Sequence, residues 1–375
     1  MCRIRAVVCA GLSPRKLITG PGANLQASCP SPEAQLQFLS KLQRVFAEGD
    51  FTATYKFALL IALADLAVEL GADDGEALMV TTRQIGLRFI GLYWKHSLPY
   101  GTGRQGSETC VLVQNNGSQA AVVSAISHFR TATQTHTLLS ASLHPAFKGL
   151  LSEVTSTVSA QPLSYLQNFG GGSDEFIYER AGSGKIRLKP GIGYCLRRFY
   201  PLVQQLARSH WIGHIKGNRR NVSILGEADD LEEFLFASSR QSLETMSLGL
   251  RKLDGARCFY CGHSMTTADV DHYIPFSQYP RDLAHNFVLA HPACNRSKSD
   301  TLAALPHLER WLERLQMHSD SLAEIGADSG FVIDAQTTQR VGSWAYANAV
   351  ASGAQAWIAA NTYSAIDHRY TECFA

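Results

Sequence analysis

The sequence predicts a mainly α-helical protein with a small α+β part. Three observations carry this. Leucine- and phenylalanine-rich segments recur at helical spacing along most of the chain. One stretch alternates apolar and basic residues as a strand does. Late in the chain, paired cysteine and histidine residues mark a small metal-stapled unit. The 375 residues are 45% hydrophobic and 18% charged, a globular composition that excludes collagen-like, low-complexity and wholly disordered chains. The formal net charge is only +2, so affinity for a polyanion has to come from local clustering.

Residues 1–32 lack any period and carry Ser13-Pro14, Gly20-Pro21-Gly22 and Pro30-Ser31-Pro32, which predicts a disordered leader. From Glu33, the spacing of Leu36, Leu39, Leu42 and Phe46 predicts a helix that Gly49 stops. A second helix, capped by Thr52 or Thr54, runs to about Leu70. It is apolar on most sides (Phe57, Leu60, Ile61, Leu63, Leu66) and is expected to be the core of its domain. A third follows Thr81-Thr82, with Ile85, Phe89, Leu92 and Tyr93 on one face, and further helices are expected at 118–132 and 145–158. Between Phe176 and Pro190, Ile186 and Leu188 alternate with Lys185, Arg187 and Lys189 across an Ala-Gly-Ser-Gly turn. This predicts a β-hairpin with one apolar and one basic face. Helices return at about 193–214 and 231–252, again from Leu302 to Leu315, and finally over Val341–Ala360.

Nine cysteines in a chain of this length do not make a disulfide scaffold. Only Cys258, Cys261 and Cys294 fall into a pattern, and His291 stands at the same two-residue spacing from Cys294 as Cys258 from Cys261. Such a pair in a tight knuckle points both donors at one ion, and two knuckles complete a tetrahedral Cys3His site, the closed arrangement of structural zinc. His263, beside the first knuckle, is the rival fourth ligand. Between the knuckles stand Asp271-His272, with Asn286 fourteen residues on and Asn295 nine after that.

Across 258–298 these residues resemble the HNH endonucleases, the ββα-metal superfamily, in its zinc-knuckle branch. Two knuckles, Asp271-His272-x-x-Pro275, a central Asn286 and Cys294-Asn295-x-x-Lys298 occur in order. His291 replaces the cysteine of many members, and Asn295 stands where others have histidine. The resemblance implies a catalytic Mg2+ or Mn2+ held by Asp271 and Asn295, a general base in His272, and an Asn286 that fixes the loop orienting it. It also implies 5′-phosphate and 3′-hydroxyl products. The residue types suit that chemistry independently. Histidine, with an ordinary pKa near about 6.5, can take a proton at neutral pH, and a hard cation takes oxygen ligands. Lys298 and Arg296, on the helix opened by Asn295, are expected to contact phosphate.

Ten lysines and arginines, and no acid, lie between Arg180 and Arg220. Lys185, Arg187, Lys189, Arg197 and Arg198 in this window are expected to line a nucleic-acid groove. The rival reading is a solvated basic face balanced by Glu227, Asp229, Asp230, Glu232 and Glu233. The expected organisation is the leader 1–32, a helical domain over 33–245 with its hairpin at about 176–190, a zinc-stapled nuclease over 246–318, and a helical C-terminal region over 319–375. The longest apolar run, Phe57 to Ala64, is too short to span a bilayer, and the chain reads as soluble and cytoplasmic. Double-stranded DNA is the expected substrate, in bacterial defence, restriction or mobile-element biology, with a protein partner on the helical domains as a further expectation. Two alternatives stand: a non-catalytic zinc module that binds nucleic acid or protein, and an RNA-cleaving toxin.

Overall fold

The structure, a computed structural model, describes residues 29–101, 110–225, 230–237 and 239–375. Nearly all of the expected leader, and Glu227 and Asp229 of the acidic run, lie outside the described residues. Helix α1 (Pro32–Glu48) opens on a proline at its first turn, and the Ser31 hydroxyl accepts the Ala34 N–H at 3.2 Å. Helix α2 (Tyr55–Leu70) is buried on every face from Tyr55 to Glu69. It is the axis of the helical region, as a helix apolar all round must be. The Thr54 hydroxyl does not cap it. That group is drawn instead to the Tyr93 hydroxyl at 2.6 Å and to Gln114 Oε1 at 3.0 Å.

Helix α3 (Thr82–Trp94) begins with a reciprocal cap between Thr81 and Gln84. It lies against α2, and helices α4 (Ala121–Thr133) and α5 (Phe147–Ala160) back it. The expected hairpin forms, but as two strands of a three-stranded sheet. Strand β1 (Met79–Thr81) pairs antiparallel with β3 (Lys185–Leu188), which pairs antiparallel with β2 (Tyr178–Arg180). Val80 faces Ile186 in this register. Three residues ahead of a helix cap are too few to show a strand period, so β1 left no signal. The helix expected at 193–214 is two, α6 (Ile192–Arg198) and α7 (Tyr200–Gly217), separated at Phe199. Pro201, in the first turn of α7, lacks the N–H that a continuous helix would need there.

The C-terminal part is built on strands β4 (Asp269–His272) and β5 (Phe287–Ala290), paired antiparallel with Asp271 opposite Val288 and His272 opposite Phe287. Helix α8 (Arg240–Asp254) lies against both strands, and helix α9 (Pro292–Lys298) follows β5 to complete a ββα unit. Helix α10 (Leu305–Met317) stacks Trp311 on Tyr273, with ring centroids 4.5 Å apart. Helix α11 (Ala335–Ser352) ties this unit to the helical region. Its Tyr346 hydroxyl meets that of Tyr273 at 2.9 Å, and its Trp344 Nε1 donates to the Arg197 carbonyl at 3.1 Å.

The expectation of a wholly helical C-terminus through Ala360 is corrected. Gly353, at φ +63°, ends α11 in the left-handed conformation that glycine adopts at least cost. Strands β6 (Gln355–Ala359) and β7 (Thr362–Ala365) follow as a hairpin. Its buried Trp357 donates through Nε1 to Ser297 on α9 at 3.0 Å, so the hairpin covers the ββα helix. No helix among the described residues is long and apolar enough to cross a membrane. The fold is mainly α with small sheets.

Candidate active site

The first knuckle turns at Gly262, at φ +73°, where its N–H donates to the Cys258 carbonyl at 2.9 Å. The second is the entry to α9. Together they bring Cys258, Cys261, His291 and Cys294 to one place, with every ligand atom within 4.8 Å of the others. His291 points Nδ1 at the cluster, 3.3 Å from Cys261 Sγ, and pairs its Nε2 with the Ser264 carbonyl at 3.2 Å. That second contact fixes the ring and leaves Nδ1 as the ligand nitrogen. His263 is not a ligand here. It contributes its backbone carbonyl, which accepts the Cys258 N–H at 2.9 Å. Burial raises the Cys258 thiol, but N–H groups of Cys261, His291 and Tyr260 outweigh it and bring it down to about 7. Burial, reinforced by Cys258 and Cys261, pushes Cys294 up to about 12. Three thiols so placed ionise together only around a cation, and the donor set fits zinc.

Asp271 and Asn295 project into the space between β4 and α9, but neither side chain is idle. Asp271 is buried, accepts from the Tyr260 hydroxyl at 2.5 Å, and pairs with Lys298 Nζ at 3.0 Å. Asn295 donates through Nδ2 to Asp269 at 3.1 Å. Asp269 was not singled out in the sequence, although two positions before Asp271 on a strand it shares that face. Lys298 is fully buried and also donates to the His272 carbonyl at 3.0 Å. The expectation of a phosphate contact at Lys298 is therefore corrected, because burial and Asp271 hold its ammonium inside the unit. Burial lowers its pKa, and Asp271 opposes the shift. Arg296, on the same helix, is exposed. The oxygen donors suit a hard cation, and the Lys298 ammonium already pairs with one of them, Asp271.

His272 lies at the end of β4, packed against Phe287 and Phe276 at ring separations of 4.6 and 5.1 Å. Its Nε2 is 2.8 Å from Asp282 Oδ1, and its Nδ1 has no hydrogen-bond partner among the described residues. Asp282 carried no sequence signal, because it stands ten residues away in an irregular loop. Asn286 spans that loop. It accepts the Ile274 N–H at 2.8 Å and donates to the Ile274 carbonyl at 2.9 Å, fixing the segment just after His272.

The same loop is gripped from the helical region. Glu69, near the end of α2, is almost fully buried and pairs with both Arg88 and Arg281. Its Oε1 also accepts from the Tyr279 hydroxyl at 2.5 Å. Arg208 on α7 donates to the Pro280 carbonyl at 3.1 Å. Asp65, one turn earlier on α2, accepts from Tyr200 at 2.6 Å and Gln204 at 2.8 Å, and burial pushes its carboxyl up.

The basic window divides. Arg197 is buried, donates to the Val68 and Gly71 carbonyls at 2.8 and 3.1 Å, and pairs with Asp73 at 2.7 Å. It closes the C-terminal end of α2 and does not reach a nucleic acid. Arg198, half-buried, donates through Nη1 to Asn348 Oδ1 at 2.9 Å. The expectation of phosphate contact at Arg197 is corrected: bare charge counting does not see carbonyls brought near by the fold. Lys185 and Arg187 are exposed and Lys189 is half-buried. Arg187 is paired with Glu179, its cross-strand neighbour, which lies one residue outside the acid-free window.

Two family models match the chain. One, described as HNH endonuclease, matches residues 258–301. The other, described as domain of unknown function (DUF8808), matches residues 35–229. The second match spans just over half of the chain, and the chain belongs to that family. No curated protein and no solved structure matches it. The ββα unit is an HNH endonuclease domain, which implies nuclease-type activity or nucleic-acid binding.

Proposed function

We propose that this chain, a DUF8808-family protein with an HNH endonuclease domain, is a metal-dependent nuclease that hydrolyses phosphodiester bonds in double-stranded DNA. The observation that carries the reading is His272: Nε2 against Asp282, Nδ1 unpartnered among the described residues, with Asp271 beside it in β4 and Asn295 on the α9 helix of the same unit. Asp282, by accepting the Nε2 proton, leaves Nδ1 as the basic nitrogen and stabilises the ring when it becomes charged. His272 Nδ1 takes a proton from water, the water oxygen attacks phosphorus, and the bond to the 3′ oxygen breaks. Asn286 keeps the segment behind His272 in place. A Mg2+ or Mn2+ ion on Asp271 and Asn295 would supply charge stabilisation at the phosphoryl and leaving oxygens. Zinc on Cys258, Cys261, His291 and Cys294 serves structure. Arg296, Lys185 and Lys189 contact phosphate and carry no base readout. The Cys3His cluster needs reduced thiols, which supports a cytoplasmic setting.

The test is supercoiled plasmid incubated with purified protein and Mg2+, Mn2+ or chelator, beside single- and double-stranded RNA. The reading expects nicked or linear plasmid only with the divalent ion, and intact RNA. Cut RNA with intact plasmid would make it an RNA nuclease. The salt bridge from Lys298 to Asp271 favours one second reading, a zinc module without catalysis. That reading expects nucleic-acid binding with no cleavage of either substrate.

A further inference from the structure

The segment that brings Asp282 to His272, residues 275–282, forms turns and bends but neither helix nor strand. Such a segment keeps its shape through the bonds that reach it from rigid elements. Asn286 fixes its start at Ile274, and Glu69 holds Tyr279 and Arg281. Between these two residues stands Pro280, two positions before Asp282. Its carbonyl has no backbone donor among the described residues and takes the Arg208 Nη2 proton at 3.1 Å instead. Arg208 comes from α7, inside the span 35–229 that matches the domain of unknown function.

The same guanidinium reaches the wall behind His272. Its carbon lies 4.6 Å from the centre of the Phe236 ring, in the helical region, and 6.0 Å from that of Phe276, in the nuclease loop. The Phe276 ring in turn lies 5.1 Å from that of His272. A planar guanidinium can face rings while it donates from its edge, which an ammonium cannot do. Burial lowers the pKa of Arg208, and Tyr200, Asp65, Glu232 and Asp282 oppose the shift. Lys95, just after α3, also has Asp282 among the charges it faces, but its ammonium donates to the Ala237 carbonyl, within the helical region. We propose that Arg208 is a positioning residue of the nuclease: it sets the place of Phe276 and of the Pro280–Asp282 segment, and through them the direction of the His272 ring. The proposal rests on the nuclease reading above and gives the helical region a part in the reaction.

The test compares the full chain with its Arg208→Met, Arg208→Lys and Thr81→Ala variants. Protein is kept in excess over supercoiled plasmid with Mg2+, so that a single turnover is read and an unfolded fraction alters only the amplitude. Arg208→Met should lower the rate constant by about tenfold to a hundredfold, the cost of a reacting group misplaced by about 1 Å. Zinc content and DNA affinity should stay as in wild type. Arg208→Lys, which keeps a donor and a charge, should recover part of the loss. Thr81→Ala removes the α3 cap and should lower Tm, yet leave the rate constant unchanged. A second readout needs no cleavage: the ring-nitrogen resonances of His272, identified by their loss in His272→Ala, should move in Arg208→Met and stay in place in Thr81→Ala. A wild-type rate constant in Arg208→Met, or unmoved His272 resonances, would overturn the proposal. Plasmid left intact by wild type would instead overturn the nuclease reading, and the resonances alone would then decide whether Arg208 holds the ring.

Discussion

The two halves of this molecule solve the same problem, holding polar groups inside, by opposite means. The HNH unit is small and is clamped by four ligands arriving in two pairs of fixed spacing, Cys258/Cys261 and His291/Cys294. The helical region is large enough to bury a whole helix, α2, and along it two carboxylates, Asp65 and Glu69. It satisfies them with side chains from distant parts of the chain: Arg88, Tyr200, Gln204, Tyr279 and Arg281. The first device is local and survives as a spacing in the sequence. The second is non-local and leaves no spacing at all. Glu69 and Arg281 are 212 residues apart. The lesson is that the surroundings of His272 belong to both halves, because the loop that carries Asp282 is held at its root by α2.

The sharpest way to separate the halves is to remove the metal. A structural zinc contributes on the order of 10 kcal/mol to folding at neutral pH. Cys258→Ser should therefore lose zinc and unfold the ββα unit, while most of the helical signal from 32–217 persists in circular dichroism. Retention of one zinc per chain by a Cys258/Cys261 double variant would mean that the ligands are misassigned. Next in size is Glu69→Leu, which leaves Arg88 and Arg281 without their shared carboxylate. Breaking a buried ion pair typically costs about 3–5 kcal/mol, so denaturant melts should show both halves destabilised. If only the helical region weakens, the Arg281 contact does not join them.

Acid tests the helical region through a buried histidine. His96 is buried against Trp211 and Leu235, and burial lowers its pKa to about 3, with Lys95 and Arg208 adding to the effect. A base whose folded pKa is depressed binds its proton preferentially in the unfolded chain. The stability is thus whole above about 6.5 and falls as pH drops toward about 3, by up to about 1.4 kcal/mol per unit. His96→Gln should flatten that slope by one proton, and an unchanged slope would place the charged ring in solvent. The smallest effect concerns the hairpin. Lys185→Ala with Lys189→Ala should reduce the dependence of log affinity on log salt by up to about 1.8, at roughly 0.9 per phosphate contact. Arg197→Ala should leave it unchanged while lowering stability.

Legibility followed the same division. The helices from α1 to α5 were readable because their apolar periods are local, and α2 was readable as a core because no face of it is polar. The metal ligands were readable because tetrahedral geometry permits few spacings. Strand β1 was too short to show a period, and the hairpin after Gly353 hid behind a helix-like apolar run. Asp282 and Asp269 became visible only when the fold set them beside His272 and Asn295. Arg197 and Lys298 carried charge that suggested phosphate, but their partners are carbonyls and acids supplied by packing.

The central claim, that His272 is a base oriented by Asp282, is tested most directly by plasmid cleavage with divalent ion, comparing wild type, His272→Ala and Asp282→Asn at matched zinc content. The account predicts a loss of about 10²-fold to 10⁴-fold for His272→Ala. For Asp282→Asn it predicts a smaller loss with a shifted pH profile, and DNA binding should be kept in both. Cleavage by His272→Ala at the wild-type rate would contradict it.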